Sequence, residues 1–210
     1  MEIISSEDGL TMTTVGLEKT TGHEICAAVD DANLREACHE FLLFVSRYIM
    51  EGHQIQPDET LGYGYWITKA VVDDSGKLCF WEYGPDATEY IPGISNAVRY
   101  WRDQHQVCAA SSSLYSPPNA EQLIVISVGV FDGDDVQGVR YPSPGHMSGW
   151  WITTDRYDGN VSSLKTVHAY HLTAKRPDLA KFIALAYGYR FYSDNGEVRF
   201  DPKIIDGIGK

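Results

Sequence analysis

The stretch DANLREACHEFLLFVSRYIM, residues 31–50, constrains the fold more than any other. Leu34, Ala37, Cys38, Phe41, Leu42, Val45, Tyr48 and Ile49 recur at the three- and four-residue steps of one helical face. Asp30 or Asp31 supplies an N-cap, and Gly52 follows the end. A helix with one broad apolar stripe must bury it against another element. The neighbouring sequence offers strands for that purpose. TMTTVGL (11–17) and EICAAV (24–29) precede the helix, and a hairpin over 62–83 follows it, turning through DDSGK and returning as LCFWEY. A second helix is predicted over 94–107, with Pro92 and Gly93 marking its start.

AASSSLYSPPNA (109–120) carries no charge, four serines and two prolines, the composition of a loop or linker. It sets a domain boundary near 118, dividing the chain into 1–118 and 119–210. Beyond it, QLIVISVGVF reads as a buried strand, DGDD (132–135) as an acidic loop, and SGWWITT as the start of another strand. TVHAYHLT (166–173) alternates as a strand, and KRPDLAKFIALA (175–186) reads as a short helix with Pro177 in its first turn. A final hairpin turns on Asp194, Asn195 and Gly196. The fold class is α+β, mainly antiparallel sheet with about three helices. GYGYWIT (62–68) and SGWWIT (148–153) repeat one string 85 positions apart. Either two related sub-domains descend from a duplication, or one strand-start solution is used twice.

A chain of 210 residues with 43% hydrophobic content can bury a sizeable core. Its longest apolar run, LIVISVGVF, is nine residues, too short for a membrane-spanning helix. The acidic MEIISSEDG start has no basic, apolar leader, so a cytoplasmic chain is expected. Cys26, Cys38, Cys79 and Cys108 show neither CxxC nor zinc-site spacing and are expected to be reduced and mostly buried. The net charge of −12 is unevenly spread. Residues 1–120 hold 18 acidic and 7 basic side chains, whereas 121–210 hold 11 and 10. Such a field repels nucleic acid and anionic membranes and attracts a basic partner.

Motifs for catalysis or cofactor binding are absent: there is no GxGxxG, P-loop, HExxH or GxSxG. No cofactor and no metal is expected. His168 and His171, three apart on a predicted strand, point to opposite faces. Asp132, Asp134 and Asp135, and likewise Asp155, Asp158 and Asn160, are oxygen-rich. They lack the twelve-residue calcium-loop pattern and read as solvated turns. An enzyme reading would have to build its site from Asp155, Asp158, His168 and His171.

The order SGWWITT, HAYHLT, KRPDLAKFIALAYGYRFYSDNGEVRF resembles the immunity-33-like family of bacterial polymorphic-toxin immunity proteins, over about residues 121–202. That family has an Asp/Ser-Gly-Trp strand start, a Pro-Asp helix running through leucines to a Gly-containing aromatic strand, and a closing hairpin. QGVRYPSPGHM is similar to its approach to the Ser-Gly-Trp. The chain departs from the pattern at Ala186-Tyr187, where the family often has proline, and at WITT, where it often has acids. The resemblance implies a cytosolic protein that binds and neutralises a cognate toxin without catalysis. A basic toxin would be steered by acidic side chains. On charge alone the candidate contacts are Asp73, Asp74, Asp86 and Glu89 around the first hairpin, with Asp132, Asp134 and Asp135.

Overall fold

The apolar stripe of the long helix finds a sheet to cover. The computed structural model describes residues 1–84 and 86–206, and the chain divides into two compact units, Met1–Arg102 and Asp103–Lys210. The first unit contains β1 (Glu2–Ser5), β2 (Thr11–Val15), α1 (Glu18–Thr21), β3 (Ile25–Ala28), α2 (Arg35–Met50), β4 (Thr60–Tyr63), β5 (Trp66–Val72), β6 (Leu78–Tyr83) and β7 (Tyr90–Pro92). Helix α3 (Ser95–Ala110) begins in it and ends in the second unit. The first sheet runs β1-β2-β3-β6-β5-β4, with β7 paired to β6. Phe41 of α2 sits edge-on to Tyr63 and Phe80, at ring separations of 4.9 and 5.1 Å. Leu42, Val45 and Ile49 are buried beside it. Asp31 caps the short 3-10 turn ahead of α2 by accepting from Asn33 N at 2.8 Å.

All pairings in this sheet are antiparallel except β3 with β6, which are parallel and in register only at Ile25↔Leu78 and Cys26↔Cys79. That short seam joins the β1-β2-β3 part of the sheet to the rest. Cys26 and Cys79 are disulfide-bonded across it, whereas Cys38 and Cys108 are free and buried. This corrects the expectation of four reduced cysteines. The partners are 53 residues apart in sequence and meet only through strand pairing.

The second unit contains β8 (Leu123–Ile126), β9 (Gln137–Arg140), β10 (Met147–Thr153), β11 (Lys165–His168), α4 (Ala169–Lys175), β12 (Tyr189–Tyr192), β13 (Val198–Phe200) and α5 (Lys203–Asp206). Its sheet runs β11-β8-β10-β9-β12-β13, again with one parallel pair, β8 with β10. The class is α+β with mostly antiparallel sheet. The uncharged segment 109–120 is no free linker. Ser113 Oγ accepts from Ala186 N, Ser116 N donates to Ala184 O, and Tyr115 bridges Leu185. The division between units accordingly falls inside α3 rather than near 118.

Three local expectations change. The run QLIVISVGVF stops being strand after Ile126, because Gly129 adopts φ 90 and turns the chain outward, leaving Val128 and Phe131 exposed. TVHAYHLT changes from β11 to α4 at Ala169. KRPDLAKFIALA forms only a 3-10 turn at Pro177–Leu179 and then irregular turns. Its carbonyls are claimed from outside: Ala180 O by Gln104 Nε2, Ala184 O by Ser116 N, and Ile183 O by Trp150 Nε1 at 2.8 Å. Tertiary donors thus replace an i→i−4 ladder.

The repeated string also resolves. In GYGYWIT, Gly64 (φ 57) and Tyr65 form the two-residue turn of a hairpin in which Tyr63 faces Trp66. In SGWWIT the residues are continuous strand, with Gly149 (φ 84) inside an irregularity of the β8–β10 pairing. Aligned on the shared letters, Trp66 and Thr68 are buried while Trp151 and Thr153 are not, and Ile152 is buried while Ile67 is not. The two copies present opposite faces to their cores, so the echo does not mark equivalent strands.

Glu82 shows how the first unit holds α3. Its carboxylate, 1% exposed, accepts from Asn96 N at 2.8 Å and Ala97 N at 2.5 Å, satisfying donors that a helix start leaves open. Burial nevertheless outweighs these bonds and pushes its pKa up from 4.5 to about 7. A carboxyl whose folded pKa is raised binds its proton more tightly in the folded chain. Its contribution to stability therefore falls as pH rises from 4.5 through about 7. Glu82→Gln should gain on the order of 3 kcal/mol relative to wild type between about pH 5 and pH 8, measured by urea unfolding at each pH. A difference that stays constant across that range would contradict this electrostatic account.

Candidate partner-binding surface

The sequence-predicted acids do not form one cluster. Asp73 and Asp74 sit at the turn before β6, and Asp86 and Glu89 at the turn after it. Six strand residues separate these turns, about 20 Å of extended chain. Asp73 is committed to its own turn: Oδ1 accepts from Ser75 N, Ser75 Oγ and Lys77 N at 2.8–2.9 Å. The Ser75 hydroxyl, then the Lys77 amide, hold its pKa below the ordinary value. Asp86 accepts from Thr88 N at 3.2 Å. Glu89 and Asp74 are exposed.

In the second unit Asp132 and Asp134 share one arginine. The loop 128–135 lies against the loop that follows β10, where Thr154 Oγ1 donates to Val128 O at 2.8 Å. Arg156 bridges Asp132 at 2.8 Å and Asp134 at 3.1 Å, and these bonds, Asp132 first, raise its pKa. Arg176, 8% exposed, supports the loop from behind. It donates to Val130 O and Asp134 O, both at 2.9 Å, while gripping Asp178 with two nitrogens. Gly129 is required here: a Cβ would stand 2.4 Å from Asp134 Oδ2. The outcome is a fixed loop that presents Val128 (50% exposed) and Phe131 (40%). The same loop carries Asp132, Asp134 and Asp135, and the loop after β10 carries Asp155 and Asp158, with Arg156 the one base in these two loops. Their local charge of −4 exceeds the −2 of residues 103–210 as a whole. The exposed apolar pair was hidden in the sequence because LIVISVGVF reads as one core strand.

The residues of the enzyme reading take other roles. Asp158 Oδ1 accepts from Asn160 N and Ser163 Oγ, at 2.8 and 3.0 Å, and these bonds lower its pKa. His168 and His171 are brought together by the strand-to-helix change, with ring centroids 5.7 Å apart, correcting the opposite-face expectation. His168 Nδ1 lies 2.7 Å from Glu121 O. Desolvation, then the neighbouring His168, lowers the pKa of His171. Among the described residues, the one group of three or more metal-ligating side chains is Cys26, Asp73 and Cys79. No helix there is long and apolar enough to cross a membrane.

The residues that carry the family resemblance are scaffold. Arg140 is 2% exposed, and its partners among the described residues are carbonyls and aromatic rings rather than a carboxylate. Nε donates to Ser148 O at 2.9 Å, and Nη1 reaches the carbonyls of Ser116 and Leu185. The guanidinium lies 4.8 Å from the Tyr187 ring and 5.8 Å from that of Trp150. Burial pushes its pKa down to about 10, which leaves it charged at neutral pH. Gly149 is equally fixed, since a Cβ there would fall 2.1 Å from Tyr141 O. Gly138 gives its space to the Phe191 ring, which packs on Phe182 at 4.5 Å and Trp150 at 5.3 Å.

Arg140→Ala, which strands these carbonyls, should cost on the order of 3–5 kcal/mol in denaturant unfolding. Arg140→Lys should recover only part of the loss, because one ammonium cannot span the same acceptors. Gly149→Ala should be destabilising by several kcal/mol, on the order of a serious core defect, through both the clash and its φ of 84.

No curated protein matches the chain, and no solved structure does. A family model, the Imm33-like domain, matches residues 103–201, starting where the second unit starts. The match covers 99 of the 210 residues, just under half of the chain, all of them in the second unit.

Proposed function

We propose that this chain is an immunity protein that binds a basic protein toxin and blocks it stoichiometrically, without catalysis. The observation that carries the reading is the Imm33-like match over residues 103–201. In this reading the protein acts in the cytosol of a bacterium that makes the toxin. Scaffold residues such as Arg140 and Gly149 keep the domain folded, and recognition falls to exposed side chains.

The surface around Phe131 suits that task. Phe131 and Val128 supply exposed apolar area, and the aspartates of the same loop and of the loop after β10 supply negative charge. Arg176, Thr154 and Gly129 hold the loop in one shape, so little ordering entropy is lost on binding. The negative charge accelerates encounter with a positive partner, and the apolar area slows its departure. Asp73, Asp74, Asp86 and Glu89 add long-range attraction rather than a single contact patch.

The test is surface-plasmon-resonance kinetics against the cognate toxin at several salt concentrations. Asp135→Lys with Asp158→Lys should lower the association rate by on the order of tenfold and flatten its salt dependence. Phe131→Ala should act mainly on dissociation, weakening binding by on the order of 2 kcal/mol. Unchanged kinetics in both variants, with folding intact, would move the interface elsewhere on the molecule.

A further inference from the structure

The first unit carries a disulfide that lies outside the residues the family model matches. Cys26 and Cys79 are linked at the parallel β3–β6 seam, where the register holds only two residue pairs. Their Cα atoms are 4.5 Å apart, so ladder pairing alone brings the thiols together whether or not they are bonded. The pair is reachable from solvent. It lies in a groove of about 250 Å³ lined by Thr11, Thr13, Asp73, Lys77, Trp81 and Pro92 among others, and Cys79 is only half-buried. Cys38, by contrast, is wholly buried, and burial raises its pKa to about 12, which makes it inert.

Asp73 adds a charge to this chemistry. Its Oδ1 is fixed by the Ser75 and Lys77 donors, and its Oδ2 stands 3.5 Å from the Cys79 sulfur. A carboxylate there repels an approaching thiolate and disfavours a thiolate on Cys79. It therefore protects the disulfide.

We propose that Cys26–Cys79 is a reversible redox modification site, a thiol–disulfide pair that fastens the seam of the first sheet when oxidised and loosens it when reduced. Reduction is by a dithiol. Its thiolate attacks the more accessible Cys79 sulfur, the S–S bond breaks, and Cys26 leaves as a thiolate and takes up a proton. The second thiol of the reductant then displaces Cys79 from the mixed disulfide, and Cys79 takes up its proton. The protein gains two electrons and two protons, and the dithiol becomes a cyclic disulfide. A disulfide oxidant such as oxidised glutathione runs the exchange backwards. In a reducing cytosol the seam is open to loosening, and in an oxidising compartment it is locked.

The full-length protein is equilibrated in glutathione buffers from reducing to oxidising, and free thiols are trapped with a mass-tagged maleimide. Amide hydrogen exchange is followed on the same samples. The proposal expects Cys26 and Cys79 to change state together within that range while Cys38 stays reduced. It also expects exchange in β3 and β6 to rise at least tenfold on reduction, more than in the strands of the second unit. Asp73→Asn, which keeps the turn geometry, should speed reduction by dithiothreitol on the order of fivefold. A pair that never oxidises, or that oxidises with no change in exchange at the seam, overturns the proposal. Stoichiometric zinc uptake by the reduced protein, abolished by Asp73→Asn, also overturns it by making Cys26, Asp73 and Cys79 a metal site instead.

Discussion

A buried guanidinium organises the second unit. Arg140 draws together carbonyls from three separate stretches: the uncharged segment at Ser116, strand β10 at Ser148 and the turns at Leu185. A charge taken out of water is tolerated only when such acceptors surround it, and two aromatic faces complete its shell. This arrangement has structural consequences on every side. It ties residue 116 to the turn at Leu185, and Tyr187, whose ring lies on the guanidinium, also packs beside the buried Gly149. The glycines at 138 and 149 follow from the same crowding, one facing the Phe191 ring and the other the Tyr141 carbonyl.

Much of this was legible where the signal is local. The helix at 31–50 follows from its periodicity, the α3 helix from its Pro92-Gly93 start and the closing hairpin from its Asp194-Asn195-Gly196 turn. Local pattern misleads where distant partners decide. KRPDLAKFIALA has a helical pattern, yet Gln104, Trp150, Ser116 and Arg140 take its carbonyls. HAYH alternates like a strand but turns into α4. The Cys26–Cys79 pairing depends on a parallel seam that no spacing rule reports. The shared GYGYWIT and SGWWIT letters mislead for a related reason, since a one-residue difference in phase inverts which side chains face inward.

The same limits explain what sequence could say about the candidate surface. Acidic residues are visible as letters, so Asp132, Asp134 and Asp135 were identifiable. Whether they cooperate depends on loops meeting in space. Arg156, from the loop after β10, pairs with Asp132 and Asp134, and Phe131 emerges from what reads as a core strand. Asp73, by contrast, proves to be a turn residue beside a disulfide. Family resemblance located the domain but not its contacts, because the residues that define the resemblance are the ones that hold it together.

The most direct test of the central claim is co-expression of the chain with the toxic product of its neighbouring reading frame, read as growth and as co-purification. The account predicts that the intact chain restores growth and elutes with the toxin in fixed stoichiometry. A toxin that kills in the presence of soluble, folded protein and never co-purifies with it would contradict the immunity function.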